Sequence, residues 1–186
     1  MSVRSFIAID TPEAVRIAIL DVQAMLKLSG ADVRWEPPEK FHATIKFLGN
    51  VDEILLPKVV MAIQESLKSF QTFEVAYTHL GCFPSVKWPR VIWLGCVNID
   101  STLRRAKEAL DHALLTYGFE EEEREFHPHI TLGRVRNPKA LKNLIPTMES
   151  LTFEPHPFRC NEILLMKSTL KPQGSEYSRI HSFTLL

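Results

Sequence analysis

The sequence lacks several features that would identify a partner or a compartment. Lysine plus arginine and aspartate plus glutamate balance at 22 each over 186 residues, so no overall positive field favours long nucleic acid. A short RNA end or a nucleotide remains a candidate ligand, because a local basic cluster needs no net charge. No segment approaches the roughly 18 consecutive apolar residues of a membrane span, and the N-terminal apolar run is too short for a signal peptide. We therefore predict a protein without a membrane segment.

Cysteine is also scarce. The three cysteines, Cys82, Cys96 and Cys160, are odd in number, widely spaced and without a Cys-x-x-Cys pair. A disulfide framework or a thiolate metal site would require closer or even-numbered sets. We expect buried or free thiols in the reducing environment of the cytoplasm.

The order of the predicted elements is approximately repeated in the two halves of the chain. Each half contains helical patterns, strand-like runs and one strand with the sequence His-x-Thr. No linker or low-complexity segment divides residues 1–186, so a single domain is expected. The repeat predicts a bilobal α+β fold with a cleft between two similar lobes.

The repeat is clearest at two segments, in which the histidines His42 and His129 lie 87 residues apart. Each histidine is followed two positions later by a threonine, Thr44 or Thr131. Residues i and i+2 of a strand share a face, so each histidine points the same way as its threonine while the intervening apolar residues face a core. Two imidazoles and two hydroxyls are therefore expected to face each other across the cleft.

Two opposed histidines are suited to general acid–base catalysis, because the unperturbed imidazole pKa is about 6.5. Hydrolysis of a cyclic phosphodiester fits this arrangement. A neutral imidazole removes a proton from water, a protonated one gives a proton to the leaving ribose oxygen, and hydroxyls donate to the other phosphate oxygens. The scheme requires no metal or other cofactor. A single His-x-Thr occurs often by chance and a lone strand histidine is usually structural, but two copies with matching flanks favour a site.

Two basic residues near the motifs are candidate phosphate ligands. Lys46 has the same strand parity as His42 and could carry positive charge into the cleft. Arg134 has the opposite parity to His129 and reaches a phosphate only if Gly133 permits a bulge or if the side chain wraps round an edge. A plain solvated or structural role remains open for both.

His127 and the aromatic residues are more ambiguous. His127 and His129 form a His-x-His pair, but no cysteine or carboxylate at suitable spacing completes a metal site, so we predict a rim position for His127 and no metal. Trp35 and Phe83 occur in turn-like contexts near the motifs and are candidates for stacking on RNA bases. Trp93 lies in an apolar strand and is expected to pack in the core.

The sequence resembles the RNA 2′,3′-cyclic phosphodiesterase (2′-5′ RNA ligase) family of the two-histidine phosphoesterase superfamily. The resemblance extends over nearly the whole chain, and each piece alone is less specific than the combination. It is carried by residues 6–9, 34–35, 42–49, 81–84, 89–95, 128–134 and 170–177.

The resemblance implies two antiparallel β-sheets with flanking helices, in a pseudo-twofold arrangement around a positively charged central cleft. It implies hydrolysis of RNA 2′,3′-cyclic phosphate ends to 2′-phosphomonoesters and a weaker, reversible 2′-5′ joining of tRNA-like halves. It assigns His42 as the proton donor to the leaving 3′ oxygen, His129 as the residue that activates water, and Thr44 and Thr131 as phosphate ligands. The residues by themselves leave open which histidine plays which role.

Two other functions remain compatible with the sequence. One is hydrolysis of a small cyclic nucleotide such as ADP-ribose 1″,2″-cyclic phosphate, since two motifs do not define the size of the substrate. The other is a nucleotide- or RNA-binding protein that has kept the cleft without turnover. Because the cleft is intramolecular, a monomer is expected.

Overall fold

The computed structural model describes residues 1–98, 100–122, 124–138, 141, 143–152 and 154–186. In chain order the elements are β1 (Ser2–Asp10), α1 (Glu13–Lys27), β2 (Val33–Trp35), β3 (His42–Asp52), α2 (Leu56–Leu67), β4 (Phe73–Phe83), β5 (Val91–Val97), α3 (Thr102–Leu115), β6 (His129–Val135), α4 (Leu144–Ser150), β7 (Phe158–Cys160), β8 (Glu162–Lys171) and β9 (Gly174–Thr184).

The strands form two antiparallel sheets, which confirms the predicted α+β fold. The first sheet has the order β3-β1-β8-β9 and the second the order β2-β6-β5-β4-β7. Helices α2 and α3 pack on the first sheet, and α1 and α4 pack on the second. Strands β3 and β6, which carry the two motifs, belong to different sheets and approach each other within 8 Å between Cα atoms. The two motif strands therefore lie next to each other where the two sheets meet.

Helix α1 contributes one apolar face and one satisfied polar group to the core. Its residues Val15, Ile19, Val22 and Leu26, spaced three or four apart, are at most 6% exposed. The buried Gln23 lies beside them, and its amide nitrogen donates hydrogen bonds to the carbonyl oxygens of Glu36 and Leu132 at 2.8 and 3.0 Å. Although α1 follows a strand of the first sheet, it is thus anchored to the second.

The register of the sheets shows how closely the two lobes correspond. The residue after Thr44 in β3 has no partner on β1, and the residue after Thr131 in β6 has no partner on β5. These unpaired residues, Ile45 and Leu132, are β-bulges at equivalent positions of the two motifs. The repeat in the sequence is therefore matched by an approximate twofold relation between β3–β1 and β6–β5.

The cysteines agree with expectation. All three cysteines are free and buried. Among the described residues, no helix is both long enough and apolar enough to cross a membrane.

Candidate active site

His42 lies at the first position of β3, packed between two aromatic rings. Its ring stacks on Phe6 of β1 with 4.9 Å between centroids and an interplanar angle of 30°, and it meets the edge of Tyr177 of β9 at 5.0 Å. This burial lowers the pKa of His42 from 6.5 to about 4, although the nearby Asp10 carboxylate acts in the opposite direction. The His42 imidazole is therefore neutral in the ligand-free protein at pH 7.

His129 has an equivalent environment at the first position of β6. Its ring lies 4.9 Å from Phe83 and 6.0 Å from Trp93 between centroids. Burial lowers the pKa of His129, and the positive charge of Arg134 contributes in the same direction. Each motif histidine is thus held against two aromatic side chains from other strands of its own sheet.

A backbone hydrogen bond orients the His129 ring. Its Nδ1 lies 2.7 Å from the carbonyl oxygen of His127, two residues earlier. A carbonyl oxygen can only accept, so Nδ1 carries the hydrogen and Nε2 is the nitrogen left to exchange a proton with a ligand. His42 forms the corresponding backbone hydrogen bond with Lys40, also two residues earlier.

Thr44 and Thr131 lie on the same strand faces as their histidines. Both are partly exposed, whereas Ala43 and Ile130, which separate each threonine from its histidine, are at most 1% exposed. Within the described part of the chain, neither threonine hydroxyl forms a hydrogen bond with another protein group. Each motif strand therefore presents its imidazole and its hydroxyl on one face, as strand parity predicted.

The prediction for Lys46 is wrong. The bulge at Ile45 shifts the alternation of β3 by one residue, so Lys46 faces helix α3 and is 1% exposed. Its Nζ lies 2.6 Å from Asp111 Oδ1 and 2.7 Å from the carbonyl oxygen of Glu120. Asp111 also forms an ion pair with Lys107. Lys46 therefore belongs to a buried ion-pair cluster behind the first sheet and cannot bind a phosphate in the cleft.

The equivalent bulge at Leu132 brings Arg134 to the cleft. Arg134 pairs with Val91 and Thr131 pairs with Trp93. Because Val91 and Trp93 are two residues apart on β5, their partners Arg134 and Thr131 share a face. The Arg134 side chain is 49% exposed, and its Nε lies 3.4 Å from Glu36 Oε1. Arg134 is therefore placed on the face of Thr131 by a bulge, but this bulge lies at Leu132 and not at Gly133.

The two predicted stacking residues differ in their positions. Phe83 contacts His129 on the cleft face, as described above. Trp35 packs on the opposite face: a Cβ on Gly133 would lie 3.0 Å from Trp35 Cε3, and Lys27 of α1 sits 6.0 Å from the ring centroid. The prediction that Trp35 contacts RNA bases is thus wrong, because β2 places Arg34 toward the cleft and Trp35 toward α1.

Trp93 does not pack in the core, contrary to expectation. Its indole lies on the cleft face next to His129 and above Gly81, where a Cβ would come within 2.2 Å of Trp93 Cζ2. Its Nε1 is buried without a hydrogen-bond partner among the described residues. Glycine at position 81 is therefore required for the indole to lie flat on the sheet.

His127 is exposed to solvent. Its side chain is 59% exposed, and Nε2 lies 3.5 Å from a carboxylate oxygen of Glu125. Within the described ranges, no group of three or more histidine, cysteine, aspartate or glutamate side chains is placed to hold a metal ion.

The sequence did not identify Phe6 or Tyr177 as site residues. Phe6 lies in an uninterrupted apolar run, in which alternation gives no indication of which side chains face the core. Tyr177 belongs to the last strand, and its contact with His42 depends on the pairing of β1 with β8 and of β8 with β9. Only the strand order of the sheet brings these rings together.

Comparison with known proteins identifies relatives over the whole chain. A sequence model of the 2′-5′ RNA ligase superfamily matches residues 12–172. The chain is 34% identical to an RNA 2′,3′-cyclic phosphodiesterase of Methanothermobacter thermautotrophicus over 188 aligned positions, which cover 100% of both proteins. It is 36% identical to an RNA 2′,3′-cyclic phosphodiesterase of Methanocaldococcus jannaschii over 180 positions, covering 95% of this chain and 98% of the relative.

Solved structures share the same fold. A Thermus thermophilus protein superposes with a TM-score of 0.80 and 24% identity, covering 98% of this chain and 97% of its own. The Escherichia coli protein LigT, crystallised with 3′-AMP, superposes with a TM-score of 0.78 and 23% identity over 100% and 99% of the two chains. At these identities the likeness concerns the fold alone.

Proposed function

Because the chain belongs to the 2′-5′ RNA ligase superfamily, we propose that it hydrolyses RNA 2′,3′-cyclic phosphate ends to 2′-phosphomonoesters. The observation that carries the proposal is the equivalence of the two motif strands, each with a buried, ring-packed histidine, a threonine on the same face and a bulge one residue later. The names of the relatives supply the substrate class.

In the proposed reaction, two proton transfers accompany one displacement at phosphorus. His129 Nε2 takes a proton from water while the water oxygen attacks phosphorus. The bond from phosphorus to the 3′ oxygen breaks, and protonated His42 gives its proton to that oxygen, which leaves a 2′-phosphate and a 3′-hydroxyl. Thr44, Thr131 and Arg134 donate hydrogen bonds to the non-bridging oxygens as negative charge develops on them. The scheme uses no metal.

The acid role of His42 depends on the substrate. In the ligand-free protein, burial keeps this imidazole neutral at pH 7. A phosphodiester anion beside the ring favours the protonated form, because an opposite charge at about 4–6 Å stabilises the charged state. Substrate binding and protonation of His42 are therefore coupled, and each promotes the other.

In this scheme, His42 and His129 also serve 2′-5′ ligation. If the 5′-hydroxyl of a second RNA takes the place of water, the same displacement of the 3′ oxygen produces a 2′-5′ phosphodiester. His129 then removes the proton of that hydroxyl, and His42 again protonates the leaving oxygen. Hydrolysis is favoured in aqueous solution because water is present in large excess.

The decisive experiment is incubation with EDTA and an oligonucleotide that ends in a 2′,3′-cyclic phosphate. We expect a 2′-phosphate product, with turnover reduced separately by His42→Ala and His129→Ala by about 100-fold or more. His127→Ala serves as the matched control, since His127 is an exposed histidine on the rim, and it should retain most activity. A 3′-phosphate product would contradict the assigned leaving oxygen. Binding without turnover would instead support a nucleotide- or RNA-binding protein.

A further inference from the structure

The proton donor of the proposed reaction lies opposite a carboxylate. Asp10, the last residue of β1, pairs directly with His42, the first residue of β3. Side chains at directly opposite positions of an antiparallel pair have Cβ atoms about 4.5–5.5 Å apart and share a face of the sheet. The Asp10 carboxylate therefore lies beside the His42 imidazole, at the same end of the first sheet.

Arg16 of α1 fixes the position of this carboxylate. Its Nη2 lies 2.5 Å from Asp10 Oδ1, which also accepts a hydrogen bond from the backbone nitrogen of Thr11 at 2.9 Å. The same guanidinium donates through Nε to the carbonyl oxygen of Thr11 at 2.6 Å and through Nη1 to that of Pro38 at 3.1 Å. The Arg16 side chain is only 16% exposed. It thus ties the end of β1 to the segment that leads into β3, and it holds Asp10 in one orientation.

The charged and titratable groups that face His42 come from several elements. Among the described residues, they are Asp10 of β1, Arg16 of α1, Glu36 of the segment before β3 and Tyr177 of β9. Burial is the main cause of the lowered pKa of His42, and the strongest opposing influence on that pKa is the Asp10 carboxylate. The Glu36 carboxylate acts less strongly in the same direction and is shared between Lys40 and Arg134, at 3.3 and 3.4 Å. Asp10 is therefore the carboxylate that matters most for the charge of His42.

We propose that Asp10 is a positioning residue for the acid of the reaction: its carboxylate, held in place by Arg16, stabilises the protonated form of His42. The inference rests on the proposed function for the use of that proton, whereas the interaction itself is a property of the free protein. A carboxylate beside the cleft also repels a phosphodiester, and the ion pair with Arg16 reduces that repulsion. Asp10 thus supports the imidazolium without excluding an anionic substrate.

Asp10→Asn tests the charge with little change of shape, since the amide oxygen can still accept the hydrogen bonds from Arg16 and Thr11. At pH 7 we expect kcat for an oligonucleotide 2′,3′-cyclic phosphate to fall by roughly 5- to 10-fold without an increase in KM, because a neighbouring opposite charge shifts a pKa by about one unit or more. The basic limb of the kcat profile should move to lower pH by about one unit, and part of the activity should recover there.

Glu65→Gln is the matched control. It also removes one carboxylate, but from an exposed ion pair with Lys68 on helix α2, and it should leave the kcat profile unchanged. An equal loss at every pH in Asp10→Asn, with no displacement of the basic limb, would assign Asp10 a merely structural role and overturn the inference.

Titration of His42 in the free protein separates this inference from the proposed function, because it needs no substrate. Since the wild-type pKa is about 4, the C2 proton resonance of His42 should report about half protonation at pH 4. At that pH the imidazole should be mostly neutral in Asp10→Asn and mostly protonated in Arg16→Gln, because the guanidinium lowers the pKa of His42. Opposite shifts would support the inference even if the wild-type protein hydrolyses no cyclic phosphate.

Shifts in the same direction, or no shift in Asp10→Asn, would overturn the inference. Thermal unfolding shows whether each variant keeps the fold. If Arg16→Gln does not fold, the shift in Asp10→Asn alone decides.

Discussion

The low pKa of His42 leads to a strong prediction about pH. Burial against Phe6 and Tyr177 lowers this pKa from 6.5 to about 4. One pKa unit corresponds to 1.36 kcal/mol, so the neutral form of the free protein is favoured by about 3 kcal/mol relative to an exposed imidazole. At pH 7, only about one molecule in a thousand then carries the proton that the reaction requires on His42.

A bound phosphodiester is expected to offset this penalty. An anion about 4 Å from the imidazolium contributes about 4 kcal/mol at an effective dielectric constant of about 20, which is equivalent to about three pKa units. The pKa of His42 is therefore expected to return to about 7 in the complex. The substrate itself makes His42 a competent acid near neutral pH.

Two assays measure this shift. The C2 proton resonances of the histidines, assigned with His42→Gln, should show His42 titrating near pH 4 in the free protein and near pH 7 with a 2′-nucleotide bound. Kinetics should give a bell-shaped kcat/KM profile centred below pH 6.5, because kcat/KM reports the free enzyme, and a kcat profile displaced to higher pH, because kcat reports the complex.

Specific outcomes would refute this reasoning. His42 titrating near pH 6.5 without ligand would show that burial does not control its charge. A kcat/KM profile centred above pH 7, or one with a single limb across the histidine range, would contradict the acid–base pair.

The low pKa of His42 also affects the stability of the fold. The pKa in the folded protein lies below the unfolded value, so proton uptake by His42 favours unfolding. The free energy of unfolding therefore decreases as the pH falls from about 6.5 to about 4.

Three further predictions concern the core and the sheet. Asp111→Asn leaves Lys46 and Lys107 buried without a counter-charge and should lower the free energy of unfolding in urea by about 3–5 kcal/mol. Lys46→Met leaves Asp111 paired with Lys107 and should lower it by less. Equal losses in the two variants would argue against a shared ion-pair cluster. Gly81→Ala places a Cβ 2.2 Å from Trp93 Cζ2 and should reduce kcat/KM by up to about 100-fold, with little change in circular dichroism. Unchanged kinetics would show that the Trp93 indole does not position the His129 imidazole. Burial raises the pKa of the three cysteine thiols to about 11 or 12. A thiol reagent at pH 8 should therefore label no cysteine in the native protein and all three in denaturant. Rapid labelling of the native protein would contradict their burial.

The positions of His42, Thr44, His129 and Thr131 could be predicted from the sequence because they depend on local geometry alone. Residues two apart in a strand share a face whatever the strand pairs with, and the repetition of the motif indicated that two such faces belong together. The bilobal α+β fold followed from the same repetition.

The positions of Lys46 and Arg134 were decided by the tertiary structure. A β-bulge exists only relative to a partner strand, and one unpaired residue in β3 or β6 exchanges the core side and the cleft side for the residues that directly follow it. Strand parity therefore holds up to Thr44 and Thr131 and fails directly beyond them. The aromatic packing depends likewise on strand order, because Phe6 and Tyr177 reach His42 from different strands of the first sheet.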